Sequence, residues 1–186
     1  MLSFKFNKEK AIAALLYITK SLMQNGKIAD FHKVFKIFYF ADQMHLARYG
    51  RPITGDHYIA MRNGPVPSRL YDMLKSLKSE SLFSGKDYQN YFEIRDRYHV
   101  YPKVEPDFDE FSESDIRCIN DSIQDNQGLS FNELTTKSHG HAYRKAEKDD
   151  KISFQNIAKE GGADEKMCGY IRENSGNDLF LSSLQA

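Results

Sequence analysis

The stretch from Asp30 to Pro52 constrains this chain more than any other, because it reads as a single helix that is apolar over most of its circumference. Asp30 suits an N-cap, Gly50 a left-handed stop, and Pro52 forbids continuation. At helical spacing, Phe31, Val34, Phe35, Phe38, Leu46 and Tyr49 form one apolar face, and Ile37, Phe40, Ala41 and Met44 form a second beside it. Only His32, Lys36, Tyr39 and Gln43 remain as a wet strip. A helix with two apolar faces must be covered on several sides, so this is the expected central helix. Phe35, Phe38, Ala41 and Leu46 are its expected core positions.

The next segment is conformationally restricted. Tyr58-Ile59-Ala60-Met61 has the composition of a short strand. Asn63-Gly64-Pro65-Val66-Pro67 then stiffens the chain: Gly64 tolerates positive φ, the prolines fix φ near −65°, and residues before proline avoid the helical region. Ser68 is a candidate cap for a helix carrying Leu70, Tyr71, Leu74 and Leu77. From local chemistry alone this is a rigid structural corner between a strand and a helix.

The two segments together carry an ordered pattern. It runs K-x-x-K-x-x-Y-x-A (Lys33, Lys36, Tyr39, Ala41), then H-L-A-x-Y-G-x-P (from His45 and Leu46 to Gly50 and Pro52), then I-A-x-x-x-G-P-V-P-x-x-x-Y (Ile59, Ala60, Gly64 to Pro67, Tyr71). This resembles the Panacea, or SocA-like, antitoxin domain over roughly residues 8–160. Members often carry Trp near the His45 and Ala60 positions, where this chain has Met44 and Met61 and no Trp. Ala142-Tyr143-Arg144-Lys145-Ala146 stands where members often have Pro-Trp before Arg-Lys-Ala. The resemblance implies an antitoxin that neutralises a cognate protein toxin by direct contact. The alternatives are an adaptor delivering the toxin to a cytosolic protease and a DNA-binding regulator of its own operon.

A chain of 186 residues suits one well-filled domain, read here as residues 1–174 with 175–186 as a flexible C-terminal tail. No apolar run approaches the roughly 20 residues of a membrane span, and the amino terminus lacks the plan of a signal peptide. Cys118 and Cys168 lie on apolar helix faces, as reduced cysteines of a cytoplasmic protein do. Net charge is zero, but residues 1–52 hold nine Lys/Arg against three Asp/Glu, and residues 101–130 hold two against eight. Matching within the fold is the simplest account of that asymmetry, ahead of steering a charged partner.

Elsewhere, Asn7 should cap a helix to about Gln24, ended by Asn25-Gly26. Ser79 to Asn90 reads as a polar loop. Tyr91–Ile94 and Tyr98–Tyr101 alternate around Arg95-Asp96-Arg97 as a β-hairpin, with the Tyr58–Met61 strand as a candidate third strand. Ser112 with Asp115, and Ser130 with Glu133, are capping-box pairs. A weaker helix is expected at 142–148 and a last one at 164–174, with Cys168 and Ile171 inward. The fold class is therefore mainly α, with a small antiparallel sheet or hairpin.

Catalytic and metal chemistry find little footing. His139-Gly140-His141 is one H-x-H where a structural zinc site wants four converging ligands. Neither a nucleophile elbow nor a phosphate loop occurs. No enzyme activity, metal or cofactor is expected. For DNA, the paired helices around Gln127-Gly128-Leu129 imitate a helix-turn-helix, but the second carries one lysine, one glutamate and no arginine, after an acidic segment. A protein-binding module remains, with Tyr39, Arg62, Asn63, Pro65, Pro67, Arg69 and Tyr71 as candidate partner contacts, each of which could equally pack or cap the corner.

Overall fold

In the computed structural model, residues 2–78 and 87–183 are described. Helix α1, Lys8–Gln24, begins where the Asn7 side chain accepts the Lys10 N–H at 2.9 Å. Helix α2, Phe31–Tyr49, is capped by Asp30 and ends at Gly50 with φ of 71°. Tyr170 and Met167 close over Gly50 so tightly that a β-carbon there would meet the Tyr170 ring at 2.5 Å. Positive φ and close packing both exclude other residues at this stop.

Strands β1, Tyr58–Met61, and β2, Gly64–Pro67, lead into α3, Ser68–Ser76. Strands β3, Phe92–Arg95, and β4, His99–Pro102, follow. The remaining helices are α4, Glu113–Asn126; α5, Phe131–Ser138; α6, His141–Lys145; α7, Phe154–Glu160; and α8, Glu165–Ser183. Both expected capping boxes form, Ser112 with Asp115 and Ser130 with Glu133. With eight helices and two two-stranded antiparallel sheets among the described residues, the fold is mainly α with a little β.

Helix α2 sits between two apolar clusters, which is why its sequence shows two apolar faces. Val34, Phe35, Ile37, Phe38 and Ala41 pack with α1, α3, α4 and the β3–β4 hairpin. Tyr39, Phe40 and Leu46 pack with Tyr58, Leu134, Ile157 and Ile171. The four expected core positions are all buried, Phe38 completely. Leu46 joins the second cluster rather than the first, and Ile37 and Ala41 the first rather than the second.

Part of the asymmetric charge is matched inside the fold. Lys10 and Arg51 pair with Asp115, Lys20 with Glu105, and Arg48 with Asp121, each joining the basic amino-terminal segment to the acidic 101–130 segment.

Several local expectations change. The candidate third strand does not join β3–β4. Instead β1 pairs with β2 in register Tyr58↔Pro67 to Met61↔Gly64, so Gly64–Pro67 is itself a strand and Arg62-Asn63 is the turn. The other edge of β1 is covered by residues 149–152, through Ala60 N–H to the Asp150 carbonyl (2.9 Å) and Ile152 N–H to the Tyr58 carbonyl (2.8 Å). Helix α7 had no clear sequence signal, because its apolar positions are few. Helix α8 runs on past Asn174, and the Ser175 hydroxyl donates to the Ser3 carbonyl at 2.6 Å. Within the expected 79–90 loop, residues 79–86 lie outside the described residues, as do the last three residues of the tail.

Candidate binding surface

The β1–β2 hairpin leans on α2 through one lysine. Lys36 is 1% exposed, and its Nζ donates to the Pro65 carbonyl at 2.9 Å. Strand β2 has β1 as its sheet neighbour on one side, so a carbonyl on its other edge is open to a side-chain donor. Gly64 makes the contact possible. Its φ is 100°, and a β-carbon there would lie 2.4 Å from Ser138 Oγ and 2.9 Å from Lys36 Cε. Burial pulls Lys36 down to a pKa of about 7.

Two buried acids hold the rest of the corner. Asp42 accepts from the Ile53 N–H at 2.6 Å and from the Tyr58 hydroxyl at 2.7 Å. Burial raises its pKa to about 6, against those two hydrogen bonds. Asp56 accepts from Arg69 N–H (3.1 Å) and Leu70 N–H (3.0 Å), so the first turn of α3 is capped from outside the helix. Ser68, the sequence candidate for that cap, is the first helical residue, and no local side chain caps the helix.

The ordered pattern of the sequence works mostly below the surface. Lys33 Nζ donates to the Gln127 and Leu129 carbonyls (2.9 and 2.7 Å), terminating α4. Tyr39 is completely buried, edge-on to Tyr58 with ring centroids 5.2 Å apart, and burial raises its pKa. His45 faces the Arg51 carbonyl at 2.8 Å and Asp115 at 3.1 Å. Tyr71 packs edge-on to Phe35 at 6.0 Å. The expected wet strip of α2 is therefore corrected: Lys36 and Tyr39 are buried and His32 and Gln43 half-buried, because β2, α5 and α7 cover that side. Periodicity sees polarity but not the elements that will later pack on it.

Above Lys36 lies an open cleft of about 590 Å³. It is bounded by the amino-terminal turn of α2, the Arg62-Asn63 turn, Val66, Tyr71, the β3–β4 hairpin and Phe131. Tyr98 and Phe131 stand at its rim, 55% and 50% exposed. His32 forms one wall: its ring stacks on Phe131 at 3.9 Å and its Nε2 lies 2.9 Å from Thr135 Oγ1. Burial, then the Lys36 charge, lower its pKa to about 4, so the wall is an uncharged imidazole at neutral pH.

Of the seven candidate contacts, Arg62 and Asn63 are exposed at the turn and line the cleft with the half-buried Tyr71. Arg69 is exposed away from it, its guanidinium 5.2 Å from the Phe6 ring centroid. Pro65, Pro67 and Tyr39 are buried behind the corner, so they can shape the surface but not form it. Phe131 and Tyr98 were missed, being isolated aromatics at an exposed helix start and in a hairpin turn. Their only sequence signal was an apolar residue where the local pattern calls for a polar one.

A rigid corner, a buried cation and an aromatic-rimmed cleft thus meet on a mainly helical body. The chain matches the family model described as Antitoxin SocA-like, Panacea domain, over residues 34–144, and it belongs to that family. No curated protein and no solved structure matches it.

Proposed function

We propose that this protein is an antitoxin, acting in the cytoplasm, that neutralises a cognate protein toxin by direct binding, without catalysis and without a cofactor or metal. The family match over residues 34–144 carries the reading, since that span contains all but the first turn of α2, the corner and, apart from Asp30, Phe31 and His32, the lining of the cleft. The physical support is preorganisation. The Arg62-Asn63 turn is fixed from below by Lys36, Asp42 and Asp56 before any partner arrives, which lowers the ordering cost of association. Two free, buried cysteines suit a reducing compartment. No helix among the described residues is long and apolar enough to cross a membrane.

Operator DNA is the less favoured partner, because four cations of the basic segment are already paired with the acidic one, leaving a weaker field for phosphates. An adaptor that hands the toxin to a cytosolic protease would share the same first binding step. It would be separated by a rescue that fails in a protease-deficient host.

The test is co-expression with the product of the neighbouring gene. Wild type should restore growth, and Arg62→Glu should weaken rescue while moving stability by less than about 0.5 kcal/mol, as exposed substitutions usually do. Arg69→Glu, outside the cleft, should rescue more nearly as wild type. A neighbouring product that is harmless alone, or full rescue by a folded Arg62→Glu protein, would count against this surface and this role.

A further inference from the structure

We infer that the cleft beside the β1–β2 turn receives an acidic, aromatic-anchored segment of the partner protein: one large apolar side chain seated between Tyr71, Tyr98 and Phe131, with a neighbouring carboxylate directed at the exposed Arg62, within the field of the buried Lys36 ammonium. The identity of the partner as a toxin rests on the antitoxin reading; the chemistry of the segment does not.

Charge complementarity selects the occupant. Lys36 has one hydrogen-bond partner, a neutral carbonyl, and no carboxylate pairs with it among the described residues. Arg62, exposed at the turn, likewise forms no ion pair with them. Lys78 lies over the Tyr98 ring, 4.3 Å from its centroid, adding a third cation at the rim. Among the described residues the single acid in the lining is Asp30, occupied as the α2 cap and accepting the Lys33 N–H at 2.9 Å. The amino-terminal turn of α2 opens onto the same space and brings the positive end of a 19-residue helix. A basic segment would be repelled by all of these. A purely apolar one would leave the buried ammonium uncompensated, which is costly in a low-dielectric wall. Burial already drags Lys36 down to about 7, a penalty that an arriving carboxylate relieves.

The walls supply the second half of the recognition. Tyr71, Tyr98 and Phe131 present rigid aromatic area of the kind that anchors interface hot spots. Aromatics with cations also suit single-stranded nucleic acid. However, Lys36 is buried at one spot at the base of a cleft rather than forming a basic track, which fits a carboxylate on a short side chain better than a run of hydrated phosphates.

The experiment selects displayed random peptides on the immobilised full chain, then titrates the consensus peptide, fluorescently labelled, by anisotropy. The expected consensus places an aromatic or large aliphatic residue within a few positions of Asp or Glu. Affinity should fall at least about tenfold on filling the cleft with Val66→Trp and about tenfold for Arg62→Glu, as for loss of central contacts. The peptide with its acids changed to lysine should not bind. Melting curves accompany both variants, and Arg62→Glu, exposed in a turn, keeps the test alive if Val66→Trp unfolds. The inference is overturned by no enriched sequence, by a basic consensus, by unchanged affinity in the folded variants, or by displacement of the peptide with oligothymidylate. Growth rescue is scored separately. A wild type that cannot neutralise the neighbouring gene product removes the antitoxin reading and leaves the peptide result standing.

Discussion

Two buried charges on opposite sides of α2 have been treated very differently by this fold. On the α4 side, Asp115 accepts from Lys10 Nζ (2.9 Å), Arg51 (3.0 Å) and the Ser112 N–H (3.0 Å), with His45 Nε2 at 3.1 Å. On the hairpin side, Lys36 has the Pro65 carbonyl alone among the described residues. His45 and Lys36 are nine positions apart on one helix, about half a turn out of phase at 3.6 residues per turn, so the two groups face separate environments. Burial by itself would raise the Asp115 pKa. His45, the Ser112 N–H, Lys10 and Arg51 outweigh it and hold the carboxyl well below its usual range. Burial of Lys36 is opposed by nothing and lowers it. A fully partnered buried charge fastens elements together; an under-partnered one beside an open cleft is a cost that binding can offset.

The largest expected effect breaks the partnered side. Asp115→Ala leaves Lys10, Arg51 and His45 without their common acceptor and should lower unfolding free energy by about 3–5 kcal/mol, as for removal of one partner from a buried ionic cluster. A urea midpoint close to wild type would show that the cluster is not what ties α4 to α2. On the hairpin side, Gly64→Ala forces an L-residue to φ of 100° against Lys36 and Ser138. It should cost about 1–3 kcal/mol and disturb rescue through the misplaced Arg62-Asn63 turn. Unaltered stability and rescue would mean that the corner is not tightly fixed.

A smaller effect sharpens the contrast through pH. The Asp115 carboxyl is depressed in the folded state, so its contribution is present above the ordinary carboxylate pKa of 3.8 and is lost as pH falls below that. Lys36 has the opposite sense. Its folded pKa of about 7 lies below the ordinary 10.5, so between these values the unfolded chain binds more protons and stability rises with pH. Denaturant midpoints recorded across pH should therefore show an alkaline rise in wild type that is diminished in Lys36→Met, while both proteins keep the acid loss. An identical alkaline limb in the two would place the Lys36 ammonium in water.

Much of the scaffold was legible because its signals are local. Asn7, Asp30 and the pairs Ser112/Asp115 and Ser130/Glu133 mark helix starts by hydrogen bonds to N–H groups two or three residues away, and such bonds need no tertiary context. The corner was legible as rigid, from Gly64, Pro65 and Pro67, but not as a strand. Its pairing with β1 is a local hairpin whose turn lacked a strong signal, whereas the 149–152 segment that covers the other edge of β1 lies about 90 positions away. The cap of α3 was misassigned to Ser68 for the same reason, since Asp56 reaches it through space. Of the candidate contacts, Arg62 and Asn63 are exposed in the β1–β2 turn, while Tyr39 is buried, because a hydroxyl on a helix says nothing about what will cover it.

What the sequence determined by itself is the central helix, its two apolar faces, most helix boundaries, the stiff corner and the family pattern, all of which follow from side-chain periodicity, caps and backbone restriction within a few residues. What only the tertiary structure decided is which polar groups of that helix stay wet, and that Tyr98, Phe131, Tyr71 and Arg62 meet around one cleft over Lys36. The physical reason is that solvation is a property of a position in the folded molecule. A lysine at residue 36 is the same side chain in any fold, but its pKa and its hydrogen-bond partner are set by β2, α5 and the glycine that lets them approach.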